Sequence, residues 1–122
     1  LPGEGYFLQP TAVKVRSEES TLMREETFGP VCSFIGYRSE EEALARINAS
    51  PYGLAASVWS DNIRQALRYS QAIDAGIVWV NMHTFLDPAV PFGGMKGSGI
   101  GREFGSAFID DYTELKSVMV RY

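Results

Sequence analysis

The chain has 122 residues, 45% of them hydrophobic and 21% charged, a balance that suits one folded domain and excludes a disordered polymer. A net charge of -4, a pI near 4.9 and only three lysines (Lys14, Lys96 and Lys116) leave no basic footprint for nucleic acid or for an anionic membrane surface. No apolar run approaches the ~18 residues of a membrane span, and the single cysteine, Cys32, excludes an internal disulfide and fits a reducing compartment, with the cytoplasm as the default.

The first residues, Leu1-Pro2-Gly3-Glu4-Gly5-Tyr6, read as a turn and lack the basic and apolar regions of a signal peptide. A start there without Met is expected of a piece of a longer protein or of a trimmed product. Residues 9–15 read as an extended segment opened by Pro10, and residues 18–25 as a polar helix. Gly29-Pro30 then breaks the chain ahead of a strand over residues 31–37, the start of which should bury Cys32 as an inert thiol. Ser39-Glu40-Glu41-Glu42 is a capping box for a helix with the apolar stripe Ala43, Leu44 and Ile47, ending near Asn48.

Pro51-Tyr52-Gly53 predicts a turn and residues 54–59 a buried strand. Ser60 or Asp61 is the expected cap of the next helix, whose core-facing positions Ile63, Ala66, Leu67, Ser70 and Ile73 keep spacings of three and four. Gly76 stands where a helix C-cap glycine belongs. Residues 77–81 are a nearly unbroken apolar run, the mark of a strand covered on both faces. Residues 82–101 have no period, hold two prolines and five glycines, and predict a long irregular loop of the kind that carries function. A short helical turn over residues 104–109 and an alternating strand over residues 112–122 complete the chain. The β-helix-β-helix-β order in the middle implies an α/β fold with an open, mostly parallel sheet and flanking helices.

One His and one Cys cannot build a zinc site, so no metal is expected. His83 has no carboxylate at a motif spacing and reads as a structural or pocket-wall residue. The glycine-rich run Gly93-Gly94-Met95-Lys96-Gly97-Ser98-Gly99-Ile100-Gly101 matches neither a P-loop nor a dinucleotide fingerprint. Its glycines read instead as permitting positive φ and close backbone approach.

Glu25-Glu26-Thr27-Phe28-Gly29-Pro30-Val31 resembles the Glu-Glu-x-Phe-Gly-Pro-Val signature of the aldehyde dehydrogenase superfamily. Further blocks follow in that family's order: Gly5 to Thr11, Asn48 to Trp59, Gly76 to Asn81, Pro91 to Glu103 and Tyr112 to Val118. The resemblance covers essentially the whole chain. It implies the C-terminal half of that family's catalytic domain over residues 1–105 and an oligomerisation tail over residues 106–122.

The resemblance also implies an enzyme that oxidises aldehydes to carboxylic acids with NAD or NADP, usually as a homo-oligomer. In the family a Cys thiolate attacks the aldehyde, hydride passes to the nicotinamide, and a Glu assists hydrolysis of the thioester. That Cys and Glu lie upstream of the Glu-Glu-x-Phe-Gly-Pro block, and Cys32 does not align with the nucleophile, so no catalytic residue is expected in this chain. Glu26 matches the carboxylate that binds the nicotinamide-ribose hydroxyls, Phe28 the aromatic beside them, and Leu54 a leucine near the nicotinamide. Asn81, Thr84, Leu86 and Phe92 align with the substrate tunnel, which Leu86 would widen where many relatives carry an aromatic. The wording of residues 81–88 looks most like branches acting on aromatic or arylalkyl aldehydes such as phenylacetaldehyde. The competing reading is a non-catalytic assembly module that keeps the fold; an intact Glu26/Phe28 pair weighs against it.

Overall fold

In the computed structural model residues 3–122 are described, so the opening turn is assessed only from Gly3 onward. The chain forms two compact units, Leu1–Ala43 and Leu44–Tyr122, which divide inside a helix.

In the first unit β1 (Thr11–Lys14) pairs in parallel with β2 (Val31–Phe34), Thr11 opposite Val31 and Lys14 opposite Phe34. The connection holds a single helical turn, α1 (Thr21–Arg24), shorter than residues 18–25. Its N-cap, Ser20, makes no side-chain cap bond, and Glu25 is extended at φ -108 and ψ 142, so nothing propagates the helix. Cys32 is exposed, which overturns its reading as a buried thiol. The cause is the period of two in β2: Val31 and Ser33 are half-buried, while Cys32 and Phe34 point the other way. Next, α2 (Glu40–Asn48) starts as the capping box predicts. The Ser39 hydroxyl accepts the Glu42 N–H at 3.2 Å, and the Glu42 carboxylate reaches back to the Arg38 N–H at 2.8 Å, one residue earlier than the simplest box. Three glutamates in its first turn complement the helix dipole.

The second unit is organised by β4 (Ala55–Val58), α3 (Ile63–Ala72) and β5 (Ile77–Val80), with β4 and β5 parallel and Ser57 opposite Trp79. The cap of α3 is Asn62, not Ser60 or Asp61: its side chain accepts the Gln65 N–H at 3.2 Å. Ser60 Oγ supports it by accepting the Asn62 N–H at 3.1 Å. Ala66 is fully buried and Ile73 nearly so, but Ile63 and Leu67 are exposed. A two-stranded ladder is about 5 Å between strands, too narrow to cover the whole apolar stripe of a helix. The same narrowness leaves Ile77, Val78 and Val80 half-buried around a buried Trp79.

Residues 52–53 are not only a turn: β3 (Tyr52–Gly53) pairs antiparallel with β6 (Met95–Lys96). The loop over residues 82–101 is therefore partly ordered by pairing, and a bridge between Phe92 and Glu103 closes its far end. Gly76 is not the C-cap of α3, which is Ile73. A Cβ on Gly76 would lie 1.6 Å from the Gly93 oxygen, so its role is close approach of two backbones. The last helix, α4 (Phe108–Asp111), begins later than residue 104 because Phe104 and Gly105 are left-handed, at φ 61 and 63. Residues 113–122 form neither helix nor strand. Their alternation lacks a partner row of backbone donors and acceptors within the described residues. The fold class stands as an open α/β arrangement, with two parallel ladders and one short antiparallel one.

Candidate active site

An open cleft of ≈ 550 Å³ lies within the second unit. Leu54, Phe92, Arg102, Glu103, Asp111 and Tyr112 line it, together with residues of the glycine-rich run. Its shape follows from hydrogen bonds that tie that run to the segment ahead of β4. Lys96 Nζ donates to the carbonyls of Asn48 and Ser50 at 2.8 and 3.2 Å, the Gly97 N–H to Pro51 at 2.9 Å, and the Gly53 N–H to Ser98 Oγ at 3.0 Å. Asn48 fastens the same segment to the end of α3 by donating to the Ala72 carbonyl at 2.8 Å and accepting the Asp74 N–H at 2.9 Å. Arg102 Nη1 spans the run, donating to the Gly94 carbonyl at 2.9 Å and the Gly101 carbonyl at 2.7 Å.

The glycines do what their spacing implies. Gly99 and Gly101 take positive φ, 142 and 76, while a Cβ on Gly94 would meet Ser98 at 2.6 Å. The lysine inside the run is spent on backbone carbonyls, consistent with a structural role and not with a phosphate cradle.

The expected site residues divide between four places. Leu54 and Phe92 come together at the cleft. Asn81 sits at its own left-handed position, φ 54, with its carboxamide engaged by the backbone of Ser60: Oδ1 accepts the Ser60 N–H at 2.8 Å and Nδ2 donates to the Ser60 carbonyl at 3.0 Å. It thereby clamps the ends of β4 and β5 and does not line the cleft. Thr84 and Leu86 are exposed in the loop beyond β5, also outside the cleft. Thr84 is left-handed at φ 60, an uncommon conformation for a β-branched residue, and its hydroxyl donates to the His83 carbonyl at 2.8 Å. His83 meets Trp79 edge-on at 5.1 Å, in keeping with a structural role.

Glu26 and Phe28 lie in the first unit, in the segment between α1 and β2. Both are exposed, Phe28 to 94%. The Val31 N–H closes a tight turn onto the Gly29 carbonyl at 2.8 Å, at the end of this segment where β2 begins. An exposed carboxylate two residues from an exposed ring suits a diol on a flat, apolar group. Among the described residues no group of acidic, His or Cys side chains could hold a metal ion. Arg102, Glu103, Asp111 and Tyr112 were not singled out from the sequence as site residues. The available signal was the pair Arg102-Glu103 directly after Gly101, the last glycine of the glycine-rich run.

The family model for "Aldehyde dehydrogenase family" matches residues 1–118. The chain belongs to the aldehyde dehydrogenase family. It is 45% identical over 117 residues to 2-hydroxymuconic semialdehyde dehydrogenase of Pseudomonas putida, covering 96% of this chain and 24% of that relative. Among solved structures it resembles the NAD+ complex of aldehyde dehydrogenase from Bacillus cereus, with a TM-score of 0.90, 45% identity, and 98% of this chain matched to 24% of that one. It also resembles the Mycobacterium tuberculosis aldehyde dehydrogenase complexed with NAD+, with a TM-score of 0.88, 44% identity, and 96% of this chain matched to 24% of that one. The chain thus spans about a quarter of the length of these family members. Its match to their fold supports the α/β class read from the element order.

Proposed function

We propose that this chain is the C-terminal segment of an NAD(P)-dependent aldehyde dehydrogenase that oxidises an aldehyde to a carboxylic acid. The observation that carries this reading is the Glu26/Phe28 segment between α1 and β2, which keeps an exposed carboxylate two residues from an exposed ring. A module that had lost the chemistry would have no use for that pair, which disfavours the assembly-module alternative. Glu26 accepts the hydroxyls of the nicotinamide ribose, and Phe28 covers the apolar side of the same group. Leu54 faces the nicotinamide from the wall of the cleft, and Phe92 closes the aldehyde end of the tunnel. A bound nicotinamide supplies the hydride acceptor; the residues of this chain bind and orient. NAD+ complexes among the related structures support NAD as one acceptor.

Thr84 and Leu86 form the substrate-facing part of the loop, where a leucine leaves room for an aryl or arylalkyl aldehyde. We place Asn81 behind this wall, because its carboxamide is already engaged with Ser60. Only Val15, Ala66, Ile73 and Trp79 are buried hydrophobic residues among those described, while 45% of the sequence is hydrophobic. So much uncovered apolar surface supports burial against further chain and further subunits. No helix among the described residues is long and apolar enough to cross a membrane. The cytoplasm as the site of action rests on the single cysteine, which fits a reducing compartment.

Two results test this reading. The isolated chain should produce no NADH from aldehyde and NAD+, because its one thiol, on Cys32, is not among the residues lining the cleft. The assay is run beside Cys32→Ser, and turnover that disappears with the thiol would show that the nucleophile lies in this chain. The second result concerns residues 106–122 as an oligomerisation tail, with residues 113–121 pairing with another subunit. Leu115, Val118, Met119 and Val120 are all exposed, and an unpaired apolar edge is normally covered. Deleting everything from Tyr112 onward should shift the full-length enzyme to smaller species in sedimentation velocity; retention of the native oligomer would refute the assignment.

A further inference from the structure

The aldehyde-facing loop leaves β5 at Asn81, and two of its first four residues are left-handed, Asn81 at φ 54 and Thr84 at φ 60. A left-handed backbone at a non-glycine residue is strained and persists only where the surrounding structure holds it. Among the described residues, one hydrogen bond reaches residues 82–86 from outside them. The Trp79 indole N–H donates to the Phe85 carbonyl at 2.7 Å, a short and well-formed bond. Trp79 is the buried member of β5, 8% exposed, held opposite Ser57 in the parallel ladder, so the donor sits on a fixed part of the fold. Its ring also receives the His83 ring edge-on, with centroids 5.1 Å apart and planes at 76°. The loop is therefore folded back over one core indole at two points, His83 and Phe85, on either side of Thr84.

We propose that Trp79 is a positioning residue for aldehyde selectivity: by holding the Phe85 carbonyl it sets where the flanking Thr84 and Leu86 present their side chains. The inference rests on the reading of Thr84 and Leu86 as substrate wall and assigns the control of that wall to a residue outside the cleft. Phe85 contributes its carbonyl to this device and leaves its side chain exposed. Asn81 acts with Trp79 by clamping the start of the loop to Ser60. The substrate class controlled is the bulky aryl aldehyde, since a displaced Leu86 costs a wide substrate more than a narrow one.

The test uses the full-length enzyme with Trp79→Phe, which keeps an aromatic ring in the core and removes the N–H donor. The readout is the ratio of kcat/KM for phenylacetaldehyde to that for propanal, with KM for NAD+ measured alongside. The ratio should fall about two- to tenfold, the scale of one lost neutral hydrogen bond, through a higher KM for phenylacetaldehyde, while propanal turnover and KM for NAD+ hold. An unchanged ratio overturns the proposal, and so does an equal loss with both aldehydes, which marks a merely structural role. Should Trp79→Phe fail to fold, His83→Ala removes the second contact at an exposed position and must lower the same ratio; an unchanged ratio there overturns the proposal equally. A wild-type enzyme that oxidises neither aldehyde overturns the functional reading and this inference with it, whereas wild-type oxidation with an unmoved ratio overturns the inference alone.

Discussion

Replacing Gly76 with alanine is expected to cost the fold about 3 kcal/mol or more, at the upper end of overpacking penalties. The added Cβ would fall 1.6 Å from the Gly93 oxygen and 2.8 Å from the Gly93 carbonyl carbon. Both neighbours are backbone, so no rotamer change can make room. Relief would require parting Gly76 from Gly93, and Gly76 is held where it is by its N–H to the Gly53 carbonyl at 3.0 Å. The Ile77 N–H to Leu54 bond follows at 3.2 Å, so the disturbance enters the β4–β5 ladder at its first rung and moves Leu54, a wall of the cleft. Gly36→Ala serves as the control, because nothing lies within 4 Å of its Cβ position, and it should change stability by no more than about 0.5 kcal/mol. Denaturant unfolding of the two full-length variants compares them directly. Equal stability would show that the glycine run does not pack against β5 as described.

Glu26→Gln in the full-length enzyme is expected to lower turnover by about 10- to 100-fold with cofactor as the varied substrate. Glutamine keeps the size and one carbonyl acceptor but loses the charge, so the charge-assisted bonds to a diol become ordinary ones. The difference is about 1.5–3 kcal/mol, and each ~1.4 kcal/mol is tenfold in rate. Glu26 is exposed in this chain, so the substitution should leave stability nearly untouched and act on cofactor placement. Steady-state kinetics with NAD+ and NADP+ varied in turn checks it. Unchanged parameters with both acceptors would remove Glu26 from the cofactor site.

Much of the local structure was legible in the residues because short-range physics sets it. Ser39 and Glu42 cap α2 through bonds spanning a few residues, and the apolar run ending at Asn81 is a strand. The glycines of residues 93–101 take the positive φ and close contacts that only glycine permits without cost. The six family blocks, too, are a property of the residue order alone, and they carried the family, the cofactor residues and the tunnel residues as expectations.

Other features depend on which distant backbone arrives beside a residue. Gly76 has the sequence position of a C-cap, and only the arrival of Gly93 makes it a contact glycine. Asn62 outcompetes Ser60 as the cap of α3, leaving the Ser60 hydroxyl to support it and the Ser60 backbone to receive Asn81. Cys32 looked buried in an apolar string, but strand alternation in β2 turned it outward. The β3–β6 pair joins residues more than forty apart, a registry no local pattern announces. The family, the start of α2 and the strand β5 were thus legible in the sequence itself, because capping and hydrophobic patterning act over a few residues. The cleft, the Asn81 clamp and the Trp79 anchor were decided by tertiary structure, because each is made by hydrogen bonds or contacts whose partner is chosen only when the chain closes on itself.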